Sequence, residues 1–251
     1  MTFTVLAHCP DTDRFGIAIA TYSLAVGGKC PFIARGLVVL STQAYAEPAL
    51  GPRALDQLAK GNTPASVMTH LSAEDPNFSY RQVAILDAQR RLAVHTGTNC
   101  RSWAGHETGD GWAAFGNVLS GGAVVTAMAR VLQEGGGRNL ADRLLEALEA
   151  GRDAGGQATA DGTPLAERSA ALIVRGAESD LARDLDLRVD AHHDAVTELR
   201  RVYQTYAPYM EYYALRARDP QNTPAPHVWE RRKKSLSGRP PPATLGPFST
   251  K

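Results

Sequence analysis

Strand-like segments in this chain come in runs, and helix-like segments come in pairs. Short β-prone stretches at 3–7 and 15–20 flank the turn residues Pro10-Asp11-Thr12-Asp13, which predicts a hairpin. The run Leu37-Val38-Val39-Leu40, within 36–43, reads as a third, buried strand. Pro48 and Gly51-Pro52 then interrupt the chain. Two helices follow: 53–60, stopped by Gly61, and a second one opened by Thr63-Pro64 and ending near Ala73. Segments 80–87 and 91–96 form another hairpin, and 111–117 the next strand. Helices at 124–133 and 140–150 come next. The first is stopped by Gly135-Gly136-Gly137. The second is capped by Asn139 and carries Leu140, Leu144, Leu145 and Leu148 on one face. Strands 169–175 and 185–189 precede a last helix, 195–206, capped by Asp194 and continuing toward Arg218 through Pro208.

This grouping predicts antiparallel sheets with helices outside them, and argues against alternating βαβ units on a parallel sheet. The expected fold class is α+β, a four-layer αββα sandwich with two antiparallel sheets between helical layers. Residues 1–206 form the domain. Residues 207–251 hold the end of the last helix and an extended, proline-rich basic tail. The tyrosines at 203, 206, 209, 212 and 213, with Met210, suit a subunit interface, so a homodimer or higher homo-oligomer is expected.

The 251 residues are 43% apolar, enough for a sizeable core. A net charge of +1 gives no global pull toward nucleic acid or an anionic membrane, and Arg231-Arg232-Lys233-Lys234 alone reads as a solvated run. Cys9, Cys30 and Cys100 cannot all pair, and no Cys-x-x-Cys stands in the chain, so a reducing cytoplasm is expected. No apolar run is long enough to span a membrane, and no signal peptide stands before the first strand. No metal site and no cofactor is expected.

The segment from His95 to His106 holds a thiol, two imidazoles, an indole and three hydroxyls between two strands. Loops carry function more often than the elements they join. Against that, Gly97 and Gly105 can simply make turns, while Cys100 and Trp103 can simply pack.

Ordered along the chain are Thr2-Phe3-Thr4-Val5-Leu6-Ala7, Ala25-Val26-Gly27, Thr42-Gln43, Gly51-Pro52, Arg81-Gln82, Cys100-x-x-Trp103-Ala104-Gly105-His106, Gly116-Asn117, Ser169-Ala170-Ala171 and Asp186-Leu187-Arg188-Val189-Asp190-x-His192. Over 2–201 this pattern resembles a prokaryotic family known as domain of unknown function 1028, placed among proteins with the N-terminal-nucleophile (Ntn) hydrolase fold. The resemblance implies an Ntn-hydrolase-like αββα sandwich, and by analogy cleavage of a C–N bond in a small amide, cyclic amide or ureide. The chain departs from the family pattern in two places. Thr21-Tyr22 stands where Ser-Lys is common. The loop before Ser169 reads Gly155-Gly156-Gln157 and ends Glu167-Arg168, where Gly-Gly-Asp and a final Gln are usual.

Ntn chemistry needs a Thr, Ser or Cys with a free α-amine to act as its base. Thr2, at the start of the first strand, meets that requirement once Met1 is removed. Cys100, beside Arg101 and near His95 and His106 in sequence, is the rival nucleophile. The base is then the Thr2 amine or His106. Asn117 suits an oxyanion or substrate-amide contact, since its amide both donates and accepts. Ser23, Thr42, Gln43 and His95 are candidates for binding a small-molecule substrate. Lys29 reads as a surface lysine. The Asp190, His192, His193 and Asp194 group reads as helix capping with solvated histidines. The leading expectation is an amidohydrolase. The alternative is a non-catalytic ligand-binding or assembly protein that kept the fold.

Overall fold

The computed structural model describes residues 1–101, 103–135, 139–176 and 178–237. Its strands are β1 (Thr2–Cys9), β2 (Arg14–Thr21), β3 (Pro31–Ala34), β4 (Val38–Ala44), β5 (Arg81–Asp87), β6 (Leu92–Thr96), β7 (Gly105–Gly109), β8 (Trp112–Asn117), β9 (Gln157–Ala158), β10 (Pro164–Leu165), β11 (Ser169–Arg175) and β12 (Leu185–Val189). Its α-helices are α1 (Leu50–Ala59), α2 (Pro64–Glu74), α3 (Gly122–Glu134), α4 (Leu140–Asp153), α5 (Ala195–Tyr206), α6 (Met210–Arg218) and α7 (Pro226–Ser237). The protein is α+β. A six-stranded sheet runs β12-β11-β2-β1-β8-β7 and a four-stranded sheet runs β3-β4-β5-β6. Every neighbouring pair in both is antiparallel.

Side chains alternate between the two faces of a strand, so each sheet separates two sets of contacts. In β1, Phe3, Val5 and Ala7 pack in one cluster with Met128 of α3, Leu144 and Leu148 of α4, and Leu199 of α5. In β4 and β5, Leu40, Val83 and Ile85 pack with Leu50 and Leu58 of α1 and Leu71 of α2. The opposite faces meet: Leu6, Phe15, Ile17 and Phe115 of the large sheet pack with Val39, Ala84 and Leu86 of the small one. Each such fully buried large side chain stabilises the fold by roughly 1.5–3 kcal/mol. Three helices start where expected, because Thr63, Asn139 and Asp194 accept from the amides of Ser66, Asp142 and Thr197.

Several expectations need correction. β3 and β7 are strands that the chain pattern did not announce. Both are sheet edges, where a short segment led by Pro31 or a polar one such as Gly105 to Gly109 is tolerated. The loop before β7 is therefore shorter than predicted. Gly51-Pro52 does not break the chain but lies in the first turn of α1, where proline needs no amide donor. Gly51 is required there by packing: a Cβ would come within 2.4 Å of the Phe32 ring. The tail is not extended throughout, since α7 is a helix. Its Trp229 ring lies 4.7 Å from Tyr212 and 5.1 Å from Tyr209, and the Tyr209 hydroxyl donates to Glu230 at 2.7 Å. Tyr209 and Tyr212 of the aromatic stripe thus pack on α7 of the same chain, while Tyr213 is exposed. Ser102, the expected stop at Gly136-Gly137, and residues 238–251 lie outside the described residues. Among those described, no helix is long and apolar enough to cross a membrane.

Candidate active site

The face of each sheet that meets the other is apolar at one end and polar at the other. In β1 this face carries Leu6 within the apolar cluster, then Thr4 and Thr2 toward the N-terminus. In β8 it carries Phe115 and then Asn117; in β5, Leu86 and Ala84 and then Gln82; in β4, Val39 and then Ser41 and Gln43. The two sheets bring these polar ends together. All of Thr2, Thr4, Ser41, Gln43, Gln82 and Asn117 are buried.

Buried polar groups must be bonded to one another or lose free energy, and here they form one network. The Thr4 hydroxyl donates to Gln43 Oε1 at 2.6 Å. Gln43 Nε2 donates to Gln82 Oε1 at 2.9 Å, and Asn117 Nδ2 donates to the same oxygen at 3.0 Å. Gln82 Nε2 faces the Gly116 carbonyl at 2.9 Å, the Thr96 hydroxyl at 3.0 Å and the Gly105 carbonyl at 3.2 Å. Thr96 continues to His106 Nδ1 at 2.9 Å. At the open end the N-terminal ammonium of Met1 donates to Asn117 Oδ1 at 2.6 Å. Beside it the Thr2 hydroxyl donates to that of Thr21 at 3.2 Å, and Thr21 in turn donates to the Met1 carbonyl.

The amine is held at low proton affinity. Burial is the largest cause, with Arg101 adding to it against the nearby Cys30 and Cys100 thiols, and its pKa falls from 8.0 to about 6. For a chain bearing Met1 the sign follows. The folded pKa lies below the unfolded one, so the unfolded chain binds more protons between them. Stability rises from pH 6 to 8 and is lost as pH falls through 6. Urea midpoints measured across that window should rise for the free amine and show none of this component for the N-acetylated chain.

Cys100 sits near this end but is not poised as a nucleophile. Its thiol donates to the Arg81 carbonyl at 3.4 Å and the Tyr80 carbonyl at 3.6 Å, and burial raises its pKa. Burial pushes the Cys30 thiol up to about 12. The histidines expected near Cys100 are engaged elsewhere. His95 alternates to the other face of β6, stacks on Phe78 at 4.3 Å and bonds its carbonyl at 3.0 Å. His106, with its pKa lowered by desolvation and then by His95, bonds Thr96 at the exposed rim.

The other expected residues divide likewise. Gln43 and Asn117 are in the network. Thr42 is buried on the opposite face of β4 from Gln43, toward α1 and α2, and its hydroxyl lacks a hydrogen-bond partner. Ser23 is exposed at the end of β2, its amide 3.3 Å from the Thr21 hydroxyl and its carbonyl accepting from Ser169 at 2.8 Å. Lys29 is exposed. Asp194 caps α5, and the His192 and His193 rings lie 4.3 Å apart at a tilt of 32°. Among the described residues no group of three or more His, Cys, Asp or Glu side chains could hold a metal ion. Sequence reading did not single out Gln82 or Thr21 as site residues. The available signal was a polar side chain at an inward position of a strand that is otherwise buried.

Residues 97–101 and Trp103 are fastened down. Asn99 donates from its amide to the Ser79 carbonyl at 2.8 Å and from its side chain to the Ser79 hydroxyl at 3.0 Å. Gly97 lies so close to Ser79 that a Cβ would come within 2.1 Å of its carbonyl. Trp103 exchanges backbone bonds with Leu119 and covers Gly105. This anchoring sets Arg101 at the mouth of the polar end, 5.5 Å from the ring of exposed Tyr45.

An α+β protein with a buried polar network at its N-terminus is the class this geometry defines. The family model "Family of unknown function (DUF1028)" matches residues 2–199, and the chain belongs to that family. Among solved structures, it is similar to protein SPO2555 from Silicibacter pomeroyi, also matched by the DUF1028 model. The two are 29% identical with a TM-score of 0.73, over 82% of this chain and 89% of that one. Anbu (ancestral beta-subunit) from Yersinia bercovieri aligns over 98% of this chain and 100% of its own, with a TM-score of 0.35 and 10% identity. No curated protein matches.

Residues 21–22, 157 and 167–168 form a single cluster. Gln157 accepts from the Tyr22 amide at 3.0 Å and donates to Glu167 at 3.1 Å. The Arg168 amide donates to the Thr21 carbonyl at 2.7 Å, and its guanidinium lies 5.0 Å from the Tyr22 ring.

Proposed function

We propose that this protein is an Ntn-type hydrolase that cleaves the C–N bond of a small polar amide, cyclic amide or ureide. The carrying observation is the N-terminal amine held on Asn117 beside the Thr2 hydroxyl, at the polar end of the inter-sheet layer. The three packing clusters fit the interfaces of a four-layer αββα sandwich, with the site at one end of its two sheets. Removal of Met1 frees the Thr2 amine one residue along the same strand. There Thr2 pairs with Asn117 on one side and Thr21 on the other.

In the reaction Thr2 Oγ1 attacks the substrate carbonyl carbon and its proton passes to the Thr2 amine. Asn117, the register partner of Thr2 in β8, is placed for its Oδ1 to accept an N–H of that amine in place of Met1 and so orient its lone pair. One Nδ2 hydrogen of Asn117, not used on Gln82, and backbone amides stabilise the oxyanion. The C–N bond breaks as the ammonium returns the proton to the leaving nitrogen. Water then hydrolyses the Thr2 ester. Asn117 is therefore first a positioning residue for the base.

A second reading has its own observation. With Met1 in place the Thr2 nitrogen is a peptide nitrogen, and the same polar end is then a non-catalytic ligand site. Release of ammonia or amine from small primary amides and linear ureides, and gain of one water by cyclic amides and cyclic ureides in mass spectrometry, separates the two readings, with Cys100→Ser assayed in parallel. We expect turnover by the wild type and turnover within about threefold of it by Cys100→Ser, since the protonated thiol is tied to two carbonyls. Loss of turnover in Cys100→Ser moves the nucleophile to the thiol. Binding of a panel member without turnover favours the ligand-binding reading.

A further inference from the structure

Two strands of the buried network leave their sheets through backbone that their residues disfavour. β8 ends at Asn117, and Val118 directly after it has a φ of 55°. β4 ends at Ala44, directly after Gln43, with a φ of 73°. Left-handed backbone is uncommon for residues other than glycine, and for a β-branched one it is an outlier. Such conformations cost free energy and cluster at active sites and ligand clamps, where the surrounding structure imposes them.

Each of these two turns delivers one side chain to the mouth of the polar end. Val118 is held on both sides, its amide donating to the Arg101 carbonyl at 3.1 Å and its carbonyl accepting from the Ala158 amide at 3.2 Å. Arg101 is thereby tied to the residue that follows Asn117, the holder of the terminal amine. Ala44 leads into Tyr45, whose carbonyl accepts from Arg81 and whose ring meets Tyr80 edge-on at 5.5 Å. The Arg101 guanidinium lies over the Tyr45 ring, 5.5 Å from its centre. Tyr45 and Tyr80 are both exposed, so this aromatic floor is open to solvent.

Arg101 has no anion of its own. Among the described residues its side chain makes no ion pair and no hydrogen bond. The neighbouring carboxylates are committed: Asp75 to Arg81 at 2.8 Å, and Glu47, two residues past Tyr45, to the Ala49 amide at 3.1 Å. The Arg101 charge is nonetheless felt at the amine, whose proton affinity it lowers. A guanidinium already stacked on an aromatic face has less side-chain freedom left to lose on binding. Its planar fork of donors matches the two oxygens of a carboxylate.

We propose that Arg101 and Tyr45 form a carboxylate subsite, so that the substrate is an amide or ureide bearing a carboxylate a few bonds from the C–N bond that is cleaved. This rests on the hydrolase reading and names its substrate class. The guanidinium takes the carboxylate, and the tyrosine ring supports both the guanidinium and the short chain that leads to the carbonyl at Thr2.

Succinamate, N-acetylglycine and N-carbamoylglycine test the subsite, each compared with the same molecule carrying a carboxamide in place of the carboxylate. Cleavage is followed by mass spectrometry in wild type, Arg101→Gln and Arg101→Lys. We expect kcat/KM for at least one carboxylate to exceed that for its uncharged counterpart by roughly 10- to 100-fold, the weight of a charge-assisted hydrogen bond. Arg101→Gln should remove that preference through KM. It should leave the uncharged counterpart little changed, which separates loss of the subsite from any effect on the amine. Arg101→Lys should keep part of the preference. An equal or lower kcat/KM for the carboxylate in all three pairs, or a preference retained in Arg101→Gln, would overturn the subsite and leave the hydrolase reading intact. Absence of turnover with every probe counts against the hydrolase reading instead. Binding to wild type and Arg101→Gln, read as a rise in melting midpoint, then decides the subsite. A rise with a carboxylate that Arg101→Gln removes supports it, and no rise, or an equal rise in both proteins, overturns it.

Discussion

On the proposed mechanism, Thr2→Ala should abolish C–N hydrolysis and leave the fold in place. In the proposed mechanism the hydroxyl is the attacking atom, and removing a nucleophile from a covalent mechanism lowers turnover on the order of 10³-fold or more. The structural loss is small by comparison. Thr2 Oγ1 makes one side-chain bond, to Thr21 at 3.2 Å, at the end of a strand whose backbone pairing is unchanged by alanine. Thermal midpoints of Thr2→Ala and wild type should therefore agree within a few degrees while turnover differs by orders of magnitude. Thr2→Ser keeps the hydroxyl and should retain a substantial part of the rate. Alanine and serine are as small as threonine, so processing of Met1 is preserved in all three. Wild-type turnover by Thr2→Ala would remove Thr2 from the mechanism.

The second large effect is on stability. Gln82→Leu should unfold about 3 kcal/mol more easily than wild type, because the change deletes the centre of the buried network and keeps its neighbours buried. Gln43 Nε2 and Asn117 Nδ2 lose their common acceptor, and the Gly116 carbonyl loses its side-chain donor. Leucine has a similar volume, so the loss is of bonding rather than of packing. For a chain of this length the melting midpoint falls by roughly 6–12 °C. Turnover should fall as well, since Asn117 would no longer be held in place to orient the amine. A midpoint within about one degree of wild type would mean that the network is bonded in some other way.

Much of the framework was legible in the sequence. Short apolar, β-prone runs in β1, β2 and β5 mark buried strands, and Thr63, Asn139 and Asp194 mark helix starts, because both signals are local. The polar end of the inter-sheet layer was harder to see. Thr4, Gln82 and Gln43 interrupt strands that are otherwise apolar, and a polar residue at a strand end looks like solvent exposure. Their bonding partners lie 35 and 39 residues away, so only the register of two sheets brings them together. His95 and His106 illustrate the limit differently. They flank one loop, yet the two-residue period sends His95 against Phe78 and His106 to Thr96. Composition misled at the tail. Pro226 is acceptable in the first turn of a helix, and the tyrosines of 209–213 give Trp229 a surface to pack on. The chemistry-rich loop around Cys100 proved to be anchored wall, carrying Arg101 to the mouth of the site.

The account depends above all on a free amine at Thr2. Intact-mass measurement of the purified protein, with sequencing of its first peptide, tests this directly. A mass lower by one methionine residue and a chain beginning at Thr2 is the predicted result. A mass that includes Met1 on protein that turns over an amide substrate would contradict it.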